Sequence, residues 1–200
     1  MDPTPVPEIE TERLLLRGPS PDDLDAWAAC YANAEVVRYL PKRDLAPRAR
    51  AERVSSFVSS LWTQGAAGGF GWVIARKAGG QFIGLCQLEQ IAGANEAELS
   101  YLFDQPYWGQ GFATEAARAA ARYGFEHSAW DRIIAATLPQ NVASRRVLAH
   151  LGFVYEKDVN YYEFTGDDTM RLDSPMVPYF ALARERFAPG DAFYRLKDAG

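Results

Sequence analysis

Apolar positions along the chain follow two different periods, and the period changes several times. Where apolar residues recur every three or four positions the pattern predicts an amphipathic helix. Where they alternate or form short runs bounded by glycine or proline it predicts a strand. The predicted elements, in chain order, are a strand at 12–18, a helix that begins near Ser20, a connector at 35–41, a helix at 47–64, strands at 69–78, 81–92 and 97–103, a helix from the 107–111 loop to about 128, a strand at 131–138, a helix at 141–151, and strands at 153–164 and 177–185.

This order of elements predicts the fold class. One strand, two helices, three strands, a helix, a strand, a helix and two strands favour a single layered α/β (α+β) domain, with a mixed central sheet of six to seven strands flanked by about four helices. The proline-rich, acidic segment 1–8 is expected to be a flexible leader, and the domain to span 9–187. The pattern assigns no structure to a tail at 188–200.

Composition narrows the class of protein further. The chain has 200 residues, of which 48% are hydrophobic, enough for one sizeable core. A net charge of −5 disfavours a general nucleic-acid binder, since contact with many phosphates needs a basic surface. No apolar run has membrane-spanning length, and the start is not a secretory signal, so the cytoplasm is the expected compartment. Cys30 and Cys86 lie far apart and only two histidines are present, so no metal site is expected.

A glycine-rich loop before a helix is the first candidate for chemistry. The stretch YWGQGFATEAARAAARYGF (107–125) has Gly109 and Gly111 on either side of one glutamine, just before an alanine-rich helix. Glycine lets a backbone approach a ligand closely, and the unpaired N–H groups of a helix N-terminus attract anions. A tight turn would use the same residues, so the motif alone leaves both interpretations open.

Other phosphate-binding loops do not fit this stretch. A Walker loop requires Gly-Lys followed by Ser or Thr, which the stretch lacks. The dinucleotide pattern of nicotinamide-dependent enzymes requires a small residue where Thr114 stands. A kinase glycine loop joins two strands, whereas this loop opens a helix. An anion site outside these nucleotide-binding folds remains.

The stretch YWGQGFATEA (107–116) resembles the acetyl-CoA pyrophosphate loop of the GNAT superfamily of N-acetyltransferases. The superfamily pattern R/Q-x-x-G-x-G/A falls on residues 108–113, and only Trp108 departs from it. A tryptophan there, together with NVASRRVLAHLGF (141–153) and the opening ETERLLLRGPSPDDLDAW (10–27), is similar to the branch of ribosomal-protein alanine N-acetyltransferases (RimJ/RimL type). The resemblance covers most of the chain.

The resemblance implies a set of cofactor contacts. The backbone of the loop would hold the pyrophosphate of acetyl-CoA, and a strand that diverges from its neighbour, the fourth of the family sheet beside the fifth, would pair with the pantetheine arm. Asn141 would contact that arm as well as cap its helix. The implied cofactor-binding residues are Leu102, Phe103, Gly109, Gln110, Gly111, Phe112, Ala113, Thr114, Asn141 and Ser144.

The resemblance also implies catalytic roles. Many members carry a tyrosine seven residues after the asparagine as the proton donor to sulfur, and here that position is Leu148. Ser144 shares its helix face and is the candidate general acid, with a local backbone contact as the alternative. Glu98 is the candidate base and Glu89 its competitor. Surface exposure would explain either glutamate equally well.

The acceptor is the least determined part of the interpretation. A protein N-terminal amine, an amino acid, an aminoglycoside-like antibiotic and a polyamine are all compatible with the residues. Trp27, Tyr39 and Tyr162 are candidate substrate contacts, with core packing as the alternative for the tryptophan. The substitutions at Trp108 and Leu148 keep open a second function, an acyl-CoA-binding module without turnover. The chain could be a monomer or a homodimer, with no nucleic-acid or membrane partner expected.

Overall fold

The computed structural model describes residues 6–40, 45–165, 175–190 and 192–197. One mixed sheet of nine strands runs through this part of the chain, in the order β7-β8-β6-β5-β4-β3-β2-β1-β9. The strands are β1 (Glu8–Thr11), β2 (Leu14–Arg17), β3 (Gly69–Arg76), β4 (Phe82–Gln90), β5 (Glu96–Phe103), β6 (Arg132–Ala136), β7 (Val154–Asn160), β8 (Met176–Ala183) and β9 (Tyr194–Lys197).

Helices cover both faces of the sheet. One face packs against the N-terminal helices through Trp27 and Val58, and the other packs against the alanine-rich helix and the helix that follows it. Alanine is frequent on the sheet side of that helix, which lets it lie close to the strands. The helices are α1 (Leu24–Ala32), α2 (Ala34–Val37), α3 (Pro47–Thr63), α4 (Phe112–His127), α5 (Val142–Leu151) and α6 (Tyr161–Thr165).

The predicted fold class and most predicted elements are confirmed, but the sheet is larger than expected. The strand predicted at 12–18 is present as β2, but the sequence did not predict β1, which precedes it and pairs with it antiparallel. The Thr11 hydroxyl accepts a hydrogen bond from the Leu14 N–H and closes the turn between them. In the tail, β9 pairs with β1. The sequence predicted neither β1 nor β9. With them, the sheet has nine strands in the described residues, whereas six to seven were predicted.

Two short helices also differ from the prediction. The connector predicted at 35–41 contains α2, which the Asn33 side chain caps by accepting from the Glu35 N–H. The strand predicted at 153–164 ends at Asn160, whose side chain accepts from the Tyr162 N–H and starts α6. Helices of one turn carry too little hydrophobic periodicity to be predicted from sequence.

None of the helices in the described ranges is long and apolar enough to cross a membrane.

Candidate active site

The strands β5 and β6 diverge and open a cleft in the middle of the sheet. They run parallel and pair only from Glu96 with Arg132 to Glu98 with Ile134. Beyond Glu98, β5 stays paired with β4, while β6 continues beside β8. The cleft between them has a volume of about 820 Å3 and is lined by residues of both strands, including Leu102 and Ala135. The divergence of the fourth and fifth strands that the resemblance implies is therefore present, and Glu98 lies where it begins.

The glycine loop forms the N-terminus of α4. Gly109 and Gly111 have φ values of 71° and 80°, a left-handed backbone conformation that favours glycine. A Cβ at Gly109 would have no atom within 4 Å, so the outer side of the loop is open. The first backbone bond of the helix runs from the Glu115 N–H to the Gly111 carbonyl at 3.0 Å. The N–H groups just before Glu115 therefore lack intrahelical acceptors, which is the arrangement that binds an anion.

An arginine in the β1–β2 turn holds the inner side of this loop. The Arg13 guanidinium donates to the Gln110 carbonyl at 2.9 Å and forms a salt bridge with Glu115 at 2.6 Å. The Glu115 carboxylate also accepts from the Thr11 hydroxyl at 2.6 Å, and Arg13 lies over the Phe112 ring at 4.5 Å. Residues about a hundred positions apart thus hold the loop in place, and no local sequence pattern indicates this contact.

Trp108, the departure from the family pattern, attaches the loop to the end of β5. Its indole Nε1 donates to the Phe103 carbonyl at 2.7 Å, while 42% of the side chain stays exposed. The Phe103 carbonyl therefore already accepts a hydrogen bond within the protein, and the Phe103 ring is buried in the core. Leu102, the other predicted strand contact, lines the cleft.

Ser144 lies in the first turn of α5 and faces β5. The Asn141 side chain accepts from the Ser144 N–H at 3.1 Å, which confirms the predicted helix cap. The Tyr101 hydroxyl lies 2.9 Å from the Ser144 hydroxyl and 3.3 Å from the Ser144 carbonyl. Burial raises the pKa of Tyr101, so that its hydroxyl keeps its proton. Sequence reasoning missed Tyr101, because a tyrosine in a half-apolar strand is indistinguishable from a core residue.

Glu89 and Glu98 are direct cross-strand neighbours on β4 and β5, and both line the cleft. Residues opposite each other in an antiparallel pair point to the same face, with Cβ atoms about 5 Å apart. Burial raises the pKa of Glu98 to about 8, and the negative charge of Glu89 adds to that rise. Burial also raises the pKa of Glu89. One carboxylate of this pair therefore tends to hold a proton near neutral pH.

The three predicted substrate contacts have different positions. Tyr39 lines the cleft. Trp27 is fully buried and stacks on Phe82 at a centroid distance of 5.4 Å, so it is a core residue and its predicted substrate role is wrong. Tyr162 lies in α6 and is absent from the cleft lining, whereas the neighbouring Tyr161 is part of it. Because α6 replaces the predicted strand, the helix turns Tyr161 rather than Tyr162 toward the cleft.

The family model that describes the acetyltransferase (GNAT) domain matches residues 13–154. The chain belongs to the GNAT acetyltransferase family. The uncharacterized N-acetyltransferase YoaA of Bacillus subtilis is 30% identical over 159 residues, which cover 79% of this chain and 89% of that protein.

Solved structures share the GNAT fold over most of this chain. RimJ of Mycobacterium smegmatis, in complex with CoA-disulfide, has a TM-score of 0.73 and 21% identity, and the match covers 92% of this chain and 89% of that one. A putative ribosomal-protein-serine acetyltransferase of Vibrio cholerae also has a TM-score of 0.73, with 22% identity, and covers 92% of this chain and 99% of that one. Both the glycine loop and the whole of α5 lie within the matched GNAT domain.

GNAT acetyltransferases transfer an acetyl group from acetyl-CoA to an amine, so the residues of the cleft can be compared with those that the family uses for this reaction. The position where many members carry a tyrosine is Leu148 here, and Leu148 is a buried residue in the wall of the cleft. Tyr101 brings a tyrosine hydroxyl to the same helix from the neighbouring strand. Within the described residues, no group of three or more histidine, cysteine, aspartate or glutamate side chains could hold a metal ion.

Proposed function

We propose that the protein acetylates a primary amine directly from acetyl-CoA, with Glu98 as the base and Ser144 as the proton donor to sulfur. The observation that carries this proposal is the divergence of β5 and β6, because one cleft then holds both residues. A protein N-terminus and a small-molecule amine both remain within this proposal. Acetyl-CoA supplies the activated acyl thioester.

The residues around the loop fit such a cofactor. In this proposal the backbone N–H groups from Gly109 to Thr114 bind its pyrophosphate, since the helix begins its own hydrogen bonding only at Glu115. The Arg13–Glu115 salt bridge keeps the loop in this conformation before binding. Leu102 lines the cleft on the part of β5 that β6 leaves, and Asn141 orients the start of α5.

Glu98 has the properties of a base for an amine. An acceptor amine reaches the cleft largely as an ammonium ion and must lose a proton before it can attack. A carboxylate whose pKa is raised to about 8 accepts that proton far more readily than an ordinary glutamate does. Burial and, to a lesser extent, the charge of Glu89 keep this pKa high, and Glu89 adds negative charge that attracts the ammonium ion.

Ser144 can donate its hydroxyl proton toward the leaving sulfur while Tyr101 supports it. With the two hydroxyls 2.9 Å apart, Tyr101 can donate to Ser144 as the serine proton moves. The high pKa of Tyr101 keeps that hydrogen available. In this proposal Ser144 and Tyr101 together supply the proton to sulfur, a role that one tyrosine has in many family members.

A binding module without turnover is the alternative, and the apolar Leu148 at the family's tyrosine position is the observation that favours it. Two variants separate the possibilities. Glu98→Gln and Ser144→Ala should each lower kcat for thiol release about a hundredfold, without a matching change in acetyl-CoA affinity. Glu52→Gln, an exposed glutamate of α3 outside the cleft, is the control. Acetyl-CoA binding without any turnover in the wild type would support the module.

A further inference from the structure

The floor of the cleft is formed by polar side chains in two cross-strand pairs. Glu89 on β4 faces Glu98 on β5, and two residues along the strands Gln87 faces Ser100. All four line the cleft. The next pair on the same face, Leu85 with Leu102, is apolar. The polar floor therefore covers two consecutive pairs and ends at the apolar one.

Gln87 is the unusual member of this floor. Only 9% of the residue is exposed, yet its Oε1 has no hydrogen-bond partner among the described residues. A buried carboxamide oxygen without a partner destabilises a fold, and an apolar side chain of the same shape would pack better. A glutamine that faces a cleft under these conditions is explained by a partner that arrives with a ligand.

The neighbouring glutamates also have no neutralising partner among the described residues. Burial raises the pKa of Glu89. Burial and the negative charge of Glu89 together raise the pKa of Glu98. No cation or hydrogen-bond donor in the described parts of the chain lowers either pKa. The floor thus offers an acidic pair for an ammonium group and, beside it, an uncharged hydrogen-bonding pair.

The spacing of the two pairs sets the distance between the groups that they can bind. Gln87 on β4 and Glu98 on β5 are diagonal neighbours on one face of the antiparallel pair, about 7–8 Å apart, and glutamine and glutamate have side chains of equal length. A ligand whose nitrogen lies at Glu98 therefore brings a second polar group to Gln87 if that group is within about 8 Å of the nitrogen.

We propose that Gln87, supported by Ser100, determines acceptor specificity by binding an uncharged amide or hydroxyl group that the acceptor carries close to its reactive amine. This inference rests on the proposed function. The acceptor is then a primary amine with an amide or hydroxyl substituent, and a plain alkylamine of equal shape is a poor substrate. Gln87 binds and orients the acceptor, and Glu98 accepts the proton that the acceptor amine loses.

Two matched acceptor pairs test this inference. Alaninamide is compared with the amine in which an isopropyl group replaces the amide, and alaninol with sec-butylamine. The ratio of kcat/KM within each pair is measured for the wild type, Gln87→Leu and Gln87→Met. Because each ratio compares the same two amines in every protein, differences in amine basicity cancel between variants. Gln81→Leu, at an exposed turn outside the cleft, is the matched control.

The expected result is a preference for the polar amine in at least one pair, which falls about tenfold or more in both Gln87 variants and persists in Gln81→Leu. Equal ratios in the wild type and the Gln87 variants would overturn the inference, even if acetylation itself is confirmed.

A stability measurement tests Gln87 independently of turnover. If its carboxamide has no structural partner, Gln87→Met should keep or raise the midpoint of thermal unfolding. A fall of several degrees would assign Gln87 a structural role and contradict the inference. If the wild type acetylates no amine, the proposed function fails. Calorimetric binding of alaninamide and its isostere to CoA-saturated wild type and Gln87→Met then decides the specificity role on the same criterion.

Discussion

Glu98 offers the sharpest test of the proposed chemistry, because its pKa connects burial to rate. The carboxyl lies in the cleft where β5 and β6 begin to diverge, and burial and the charge of Glu89 raise its pKa from 4.5 to about 8. A base works only in its deprotonated form, so the rate should follow the fraction of Glu98 that is ionised.

The size of the effect follows from that pKa. With a value of about 8, roughly one molecule in a hundred has an ionised Glu98 at pH 6, and about one in ten at pH 7. At saturating amine, kcat should therefore fall about tenfold for each pH unit below 8 and level off above it. An ordinary glutamate would give a flat profile over this range.

The assay is thiol release from acetyl-CoA at saturating acceptor between pH 5.5 and pH 9.5, a range chosen to bracket the pKa of about 8. Cys30 and Cys86 are buried and their pKa values are raised by burial, so they should add little background to thiol detection. Glu98→Gln should abolish the acid limb and lower the plateau about a hundredfold. Glu89→Gln should keep most of the activity and move the limb to lower pH, because a like charge is removed.

An acid limb near pH 8 that persists in Glu98→Gln would refute this reasoning.

The pH dependence of stability tests the raised pKa of Glu98 independently of the rate. Because the carboxyl of Glu98 binds its proton more tightly in the folded state, the wild type loses stability as pH rises from 4.5 to about 8. The thermal midpoint of Glu98→Gln should exceed that of the wild type above pH 8, and the difference should vanish near pH 4.5.

Four further substitutions test other parts of the account. Ser144→Ala should lower kcat about a hundredfold and Tyr101→Phe about tenfold, and the double variant should lose less than the product of the two effects, as stopped-flow turnover can show. Gly111→Ala should weaken acetyl-CoA binding measured by calorimetry, because its φ of 80° costs about 1–2 kcal/mol for alanine. Trp27→Ala should destabilise the fold by about 3–5 kcal/mol in urea titrations, and an altered KM for the amine in folded protein would contradict its assignment to the core.

The sequence predicted the parts of the molecule that depend on local patterns. The glycine loop, the Asn141 cap and the long helices all follow from residues close together in the chain, and the structure has them. The β5–β6 divergence was available only through family resemblance, since no local pattern encodes where two strands separate.

The rest depended on contacts between distant segments. Arg13 and Glu115 are 102 positions apart, and Tyr101 and Ser144 are 43 apart, so neither pair leaves a local signature. The pairing of Glu89 with Glu98 needed the register of the β4–β5 hairpin, which fixes which side chains share a face. Trp27 shows the opposite error, because an aromatic residue on an amphipathic helix looks the same whether it faces the core or a ligand.

The most direct test of the central claim is thiol release from acetyl-CoA by the wild type across a panel of peptides, amino acids, amino alcohols, polyamines and aminoglycosides. Mass spectrometry of each reaction identifies the acetylated product. The account predicts release with at least one class of amine, a product acetylated on nitrogen, and loss of both signals in Glu98→Gln. Tight acetyl-CoA binding with no release above hydrolysis for any amine would contradict it.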